Sequence, residues 1–240
     1  MVHVAVLRSS VAHARVRRVD VSAARSAKGV LAVFTADDHP TAARTLPDCH
    51  PHPALPARGA PTLARDTVRY VGEPIAAVVA ESRVLAEDAV ELIALDYERL
   101  PAVVDLDKAI ESRGPRVHDD LPSNIAARLA LNKGDVAGAF AGAYCVIQDR
   151  FEVHRGAGQA METRGMVAHW NPAEERLIVW HVSQVPFLHR TLIANALGLP
   201  EHRVRILSPD VGGGFGYKGL VYVEDILIPF IARQIGRPVK

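Results

Sequence analysis

Strand-like and helix-like spacings of apolar positions take turns along the first hundred residues. Val4 and Val6 recur at the two-residue period between His3 and Arg8, which predicts a strand. Ser22 is placed to cap a short helix that ends before Gly29, and Val30 to Thr35 is an apolar run of strand length. Pro74 to Ala80 is unbroken apolar sequence, the pattern of a strand buried on both faces. Ser82 then precedes a helical stripe of Leu85, Ala86, Ala89, Val90 and Ile93 opposite Glu87, Asp88 and Glu91, and Leu95 to Arg99 returns to strand. Between these lies Asp37 to Arg65, rich in Pro, His, Ala and Arg, without periodicity and therefore a long loop.

Periodicity weakens from Asp105 to Asp149, where Gly114-Pro115, Pro122-Ser123-Asn124 and Gly134-Asp135 are turn signals. A domain boundary is expected there, dividing the chain into residues 1–124 and 125–240. Pattern then resumes. Arg176 to Val182 is a strand, and Pro186 opens a helix whose face is Leu188, Leu192, Ala196 and Leu197 and whose stop is Gly198. Val204 and Ile206 mark a short strand. Leu220 to Gln234 is helical, with Pro229 demanding a kink or a late start.

Composition narrows the classes. The chain has 240 residues, 49% of them hydrophobic, a formal charge of +1 and two cysteines, Cys49 and Cys145. That charge gives no field for nucleic acid or an anionic membrane. Two cysteines build neither a disulfide framework nor an iron–sulfur cluster. No apolar run reaches the roughly 18 residues of a membrane span, and the first residues lack the pattern of a signal peptide. A soluble, cytoplasmic chain of mixed helix and strand is expected.

The most distinctive local chemistry is Asp210-Val-Gly-Gly-Gly-Phe-Gly-Tyr-Lys218, between a strand and a helix. Glycines let backbone approach a ligand closely, and successive N–H groups can hold an anion or a metal-bound oxygen. Lys218 is followed by Gly219, so the phosphate-loop pattern fails; Tyr217 stands where a dinucleotide fingerprint needs its third glycine. A plain strand-to-helix turn is the competing reading. His50-Pro-His52 lacks an evident third metal ligand, and His154, His169, His181 and His189 read as structural or surface residues. No metal ligand is assigned. Glu162 and Arg164 suit an ion pair supporting a pocket. Lys218 suits a pair with Glu224 or Asp225 as well as a ligand contact, and Arg15-Val-Arg17-Arg18 suits a solvated face.

Four segments, in order, resemble the molybdenum-binding large subunit of the xanthine dehydrogenase, aldehyde oxidase and carbon monoxide dehydrogenase family. They are Arg8 to Arg15 with Gly29 to Val33; Val68 to Ala80; Met161 to Gly165 with Ser183 to Pro186; and Asp210 to Lys218 with Val223 to Asp225 and Gly236 to Lys240. The resemblance implies an α+β fold: an α/β hammerhead domain followed by the first part of a molybdopterin-binding domain. It implies hydroxylation of a carbon with oxygen from water, with electrons leaving through iron–sulfur and FAD subunits on other chains. A cytosine dinucleotide form of the pterin is compatible with it. By resemblance, Gln184 reaches toward the molybdenum oxo group, and Gly213, Gly214, Phe215 and Gly216 form the loop beside the metal.

Gly219 stands where purine-oxidising members carry a substrate-binding glutamate, which turns the expectation from xanthine toward an aldehyde or N-heterocycle. Cys145 precedes the glycine motif and does not match the special cysteine of the carbon monoxide enzymes. The family's general-base glutamate lies in a Gly-x-Gly-Glu stretch near the end of a subunit about three times longer, so no catalytic residue is assigned; Val71-Gly72-Glu73-Pro74 belongs to the hammerhead match. The chain is thus expected to need a C-terminal partner, the alternative being a module that keeps the fold without cofactor or catalysis.

Overall fold

The computed structural model describes residues 1–39, 46, 53, 55, 59–111, 114–154 and 156–240. Cys49 and the His50/His52 pair lie outside the described residues. In the first part, β1 (His3–Arg8), β5 (Pro74–Ala80) and β3 (Val30–Thr35) form an antiparallel sheet with β5 in the middle. Every residue of β5 is buried, as its unbroken apolar sequence requires. Helix α2 (Arg83–Val90) packs against this sheet through Ala86 and Ala89, and Ser82 Oγ accepts the Leu85 N–H at 3.3 Å, the expected cap.

A second sheet, β4 (Thr67–Val68), β2 (Ala14–Asp20) and β6 (Ala94–Arg99), carries the arginine cluster. Arg15 and Arg17 reach Glu98 at 3.5 and 2.9 Å on its exposed face. The strand beneath them went unread because charge hides its period. Helix α1 (Ser22–Arg25) differs by one residue from expectation: Val21 is the cap, and Asp20 Oδ1 accepts the Ser22 N–H. The helix also ends well before Gly29, which sits in the following turn at φ 79°.

Among the described residues, two short helices, α3 (Leu106–Ile110) and α4 (Val136–Ala141), interrupt the stretch that follows. No described residue between Ile93 and Ala168 is buried. Leu131, Tyr144, Ile147, Phe151 and Val153 stand out into solvent there.

The second packed part has β7 (Met166–Asn171) antiparallel to β8 (Arg176–His181), which runs parallel to β9 (Val204–Leu207). Two helices cover it: α5 (Pro186–Leu197), closed by Gly198 at φ 63°, and α6 (Val223–Ile235). α6 begins at Val223 and not at Pro229 as a late start would have it, so Pro229 lies inside the helix, without a donor for the turn before it. Ile226, Leu227, Phe230 and Ile231 of α6 share one core with Leu177, Val179 and Ile193, and also with Val2, Ala77 and Val79 of the first part. Val239 completes the junction by bridging both Val2 and Ala168. Among the described residues, no helix is long and apolar enough to cross a membrane.

Candidate functional site

β8 and β9 end side by side, and each releases a loop toward the same face. The loop after β8 carries Ser183 and Gln184; the loop after β9 carries Gly212 to Lys218. They are joined at two points: the Gln184 N–H donates to the Lys218 carbonyl at 3.2 Å, and the Gly216 N–H donates to Gln184 Oε1 at 3.1 Å. With its oxygen engaged as acceptor, Gln184 retains its NH2 as a donor.

The glycine sequence is required by contact as well as by φ. A Cβ on Gly214 would stand 2.3 Å from Gln184 Cδ, and one on Gly212 would stand 2.7 Å from Glu162 Cβ. Gly213 and Gly216 have φ of 93° and 88°, and Phe215 between them is itself left-handed at 50°. Left-handed residues interleaved with an ordinary one, Gly214, are the kind of turn in which successive N–H groups can form a concave donor surface. The N–H groups of Gly214 and Phe215 meet no acceptor among the described residues. Phe215 is 72% exposed. The five residues singled out by sequence, Gln184, Gly213, Gly214, Phe215 and Gly216, therefore lie together.

A carboxylate anchors this loop from behind. Glu162 Oε2 accepts the Gly212 N–H at 2.7 Å and the Lys218 ammonium at 2.8 Å. Lys218 is 2% exposed, so it is committed to this pair and not to Glu224 or Asp225. Hydrogen bonds from Lys218 and from the Gly212 amide hold the Glu162 carboxyl below its usual range. Arg164, expected to pair with Glu162, turns instead to Glu224 at 3.2 Å and lies over the Tyr222 ring at 3.6 Å. Burial opposes ionisation of Glu224, yet the Arg164 and Arg8 guanidiniums hold its carboxyl below the usual range.

Two histidines that the sequence placed among ordinary structural residues gather beneath the same loops. His189 on α5 is fully buried; its Nδ1 lies 2.6 Å from Ser183 Oγ and its Nε2 3.0 Å from the Leu220 carbonyl. It therefore ties the Gln184 loop to the end of the glycine loop. His181, at the end of β8, and Asp225, in the first turn of α6, complete a buried group of three. No local motif joins positions 181, 189 and 225; only the packing of α5 and α6 on β8 does. A serine-hydrolase reading of Ser183, His189 and Asp225 fails on geometry, because Ser183 is buried, already accepts the Val185 N–H, and His189 gives its Nε2 to Leu220. His154, expected on regular structure, lies in the exposed irregular stretch.

Residues 1–101 match the family model described as aldehyde oxidase and xanthine dehydrogenase, a/b hammerhead domain, and residues 117–240 match the molybdopterin cofactor-binding domain. The chain is 38% identical, over 99% of its length, to the nicotine 6-hydroxylase large subunit of Paenarthrobacter nicotinovorans, and 35% identical, over 98%, to the carbon monoxide dehydrogenase large chain of Afipia carboxidovorans. It spans 29% and 30% of those two relatives. The crystal structure of quinoline 2-oxidoreductase from Pseudomonas putida 86 superposes with a TM-score of 0.90 at 38% identity, over 99% of this chain and 30% of that one. The aldehyde oxidoreductase of Desulfovibrio gigas superposes at 0.85 with 26% identity, over 99% of this chain and 26% of that one.

Proposed function

Because the chain belongs to the aldehyde oxidase and xanthine dehydrogenase family of molybdopterin cofactor-binding proteins, we propose that it supplies one wall of the cofactor site of a molybdenum hydroxylase acting on an N-heterocycle or aldehyde. The observation that carries this reading is that Gln184, whose oxygen takes the Gly216 N–H, lies against Gly214, beside backbone N–H groups of Gly214 and Phe215 that meet no acceptor among the described residues. That face fits a molybdenum–pterin group: it offers neutral donors to oxygen, with no side-chain bulk at Gly213 or Gly214. When bound, the cofactor supplies hydroxylation with oxygen taken from water.

The chain's own residues would position and polarise. Gln184 donates a hydrogen bond without adding charge, which suits an oxygen whose electron density changes during turnover. The Gly214 and Phe215 amides add two further donors fixed by the loop backbone, so little reorganisation is needed when charge develops. Phe215 presents an exposed ring beside them, a surface for a flat substrate. The relatives named nicotine 6-hydroxylase and quinoline 2-oxidoreductase favour the N-heterocycle over the aldehyde.

The rest of the machinery, including a glutamate base, is assigned to the length of the relatives that this sequence does not cover, with iron–sulfur and FAD subunits as electron acceptors. The exposed apolar residues from Leu131 to Val153 support such covering partners. Residues 1–124 are taken as the hammerhead unit and 125–240 as the first part of the cofactor-binding unit, with the cytoplasm as its compartment. Co-expression with the remaining large-subunit sequence and both electron-transfer subunits tests the proposal. Bound molybdenum and dye reduction dependent on an N-heterocycle or aldehyde support it; an assembled complex with neither overturns it in favour of a cofactor-free module.

A further inference from the structure

We propose that His181, His189 and Asp225, with the Leu220 carbonyl, form a second metal site, for a single zinc-class divalent cation behind the cofactor face. It is independent of the molybdenum assignment. His181 Nε2 lies 3.5 Å from Asp225 Oδ1, and His189 Nε2 lies 3.7 Å from Asp225 Oδ2. The ligand atoms of the three side chains all fall within 4.8 Å of one another. Zinc bonds of about 2.0–2.2 Å to nitrogen and oxygen place neighbouring ligands of a tetrahedron roughly 3.3–3.6 Å apart. The two histidine-to-aspartate spacings are therefore close to ligating geometry, and the two histidines, within 4.8 Å of each other, would draw together around an ion. The Leu220 carbonyl lies 3.0 Å from His189 Nε2 and is the oxygen that would serve as fourth ligand.

His181 points to a ligand most directly. It is 3% exposed, and its Nε2 has no hydrogen-bond partner. A buried nitrogen facing a carboxylate at 3.5 Å without a bond between them is a costly arrangement that a cation between them relieves.

The outer contacts suit metal-binding histidines, which use the second ring nitrogen to fix their orientation. His181 Nδ1 lies 3.5 Å from the Gly165 carbonyl, and His189 Nδ1 lies 2.6 Å from Ser183 Oγ. A hydroxyl donates or accepts equally well, so His189 can move its proton to Nδ1 and free Nε2 without losing Ser183. Asp225 keeps the Tyr222 N–H on Oδ2. Arg164 is the opposing charge, but it is closer to Glu224, at 3.2 Å, than to Asp225 Oδ1, at 3.5 Å. His181 and Asp225 also line a cleft of about 670 Å³ between the two parts of the chain, which gives an ion its entry path.

The test uses the full 240-residue chain, purified without a histidine tag, equilibrated with zinc and dialysed. Elemental analysis is expected to find about one zinc per chain, with a higher melting temperature than in chelator-treated protein. Cobalt(II) in its place should give the intense visible bands of a tetrahedral N/O site. His181→Gln and Asp225→Asn, shown folded by circular dichroism, should lose at least tenfold in affinity. Zinc below a tenth of an equivalent in the unaltered chain overturns the site, as does equal zinc in the variants. The cobalt spectrum of the unaltered chain decides alone if the variants do not fold, and weak octahedral bands there also overturn it.

Discussion

Glu162 and Lys218 are joined by a 2.8 Å hydrogen bond, and the same glutamate oxygen takes the Gly212 amide at 2.7 Å. One carboxylate thus satisfies a buried ammonium and fixes the entry of the glycine loop. The two partners are not equivalent. Removing Glu162 strands a buried cation, whereas removing Lys218 leaves a carboxylate that water can reach. Glu162→Ala is expected to lower the melting temperature by several degrees, and Lys218→Met by clearly less. Thermal unfolding of both variants checks the order, and the reverse order would contradict this account of the pair.

The same carboxylate sets an acid limit for the loop. Its pKa lies below the unfolded value, so the stabilisation is present above the ordinary carboxylate range and is lost as pH falls through the lowered folded value. Exchange protection of the Gly212 amide should persist down through the usual range of glutamate titration and fail only below it. Loss of protection while ordinary carboxylates titrate would refute this.

Gly214 separates folding from function. Its φ is not in the left-handed region, so alanine meets no backbone strain there, but the new Cβ would stand 2.3 Å from Gln184 Cδ. The flexible glutamine would swing away and release the Gly216 amide. Gly214→Ala should therefore melt within about 1 kcal/mol of wild type while turnover of the assembled enzyme falls at least about tenfold. A strongly destabilised variant would mean that Gln184 is more tightly held than its contacts indicate.

Glu73 has no place at the site. It is buried at the start of β5, where its carboxylate accepts the Arg69 N–H, and burial pushes its pKa up. A raised carboxylate pKa is a penalty that builds as pH rises from the ordinary carboxylate range to the raised folded value. Glu73→Gln keeps an acceptor and removes the charge. It should match or exceed wild type in melting temperature at neutral pH, lose that advantage as pH falls from the raised pKa to the ordinary carboxylate range, and leave turnover unchanged. A lower melting temperature at neutral pH would show that the charge itself is needed by Arg69.

Elements whose own residues carry the signal were readable in advance. β5 is seven buried residues in a row, α2 has its serine cap, and α5 runs from Pro186 to a left-handed Gly198. The glycine loop with Gln184 was readable because close approach leaves glycine as the only solution. The period of β2 is hidden because its exposed face is arginine, and the bounds of β7, which carries His169, are hidden because Met-Val-Ala-His-Trp-Asn does not alternate cleanly. The Lys218 partner was misassigned because Glu162 is distant in sequence and nearer acids stood at Glu224 and Asp225. The His181, His189 and Asp225 group could not be read at all, since its members meet only after two helices pack on one sheet.

The central claim is that Gln184, held by the Gly216 amide, presents its NH2 as a donor at a molybdenum cofactor face. Steady-state turnover of the assembled enzyme carrying Gln184→Ala tests it most directly, read beside molybdenum content and melting temperature. The account predicts an intact fold, molybdenum near wild type, and turnover reduced on the order of a hundredfold, the usual cost of losing one fixed donor. Wild-type turnover in a fully loaded Gln184→Ala enzyme would contradict it.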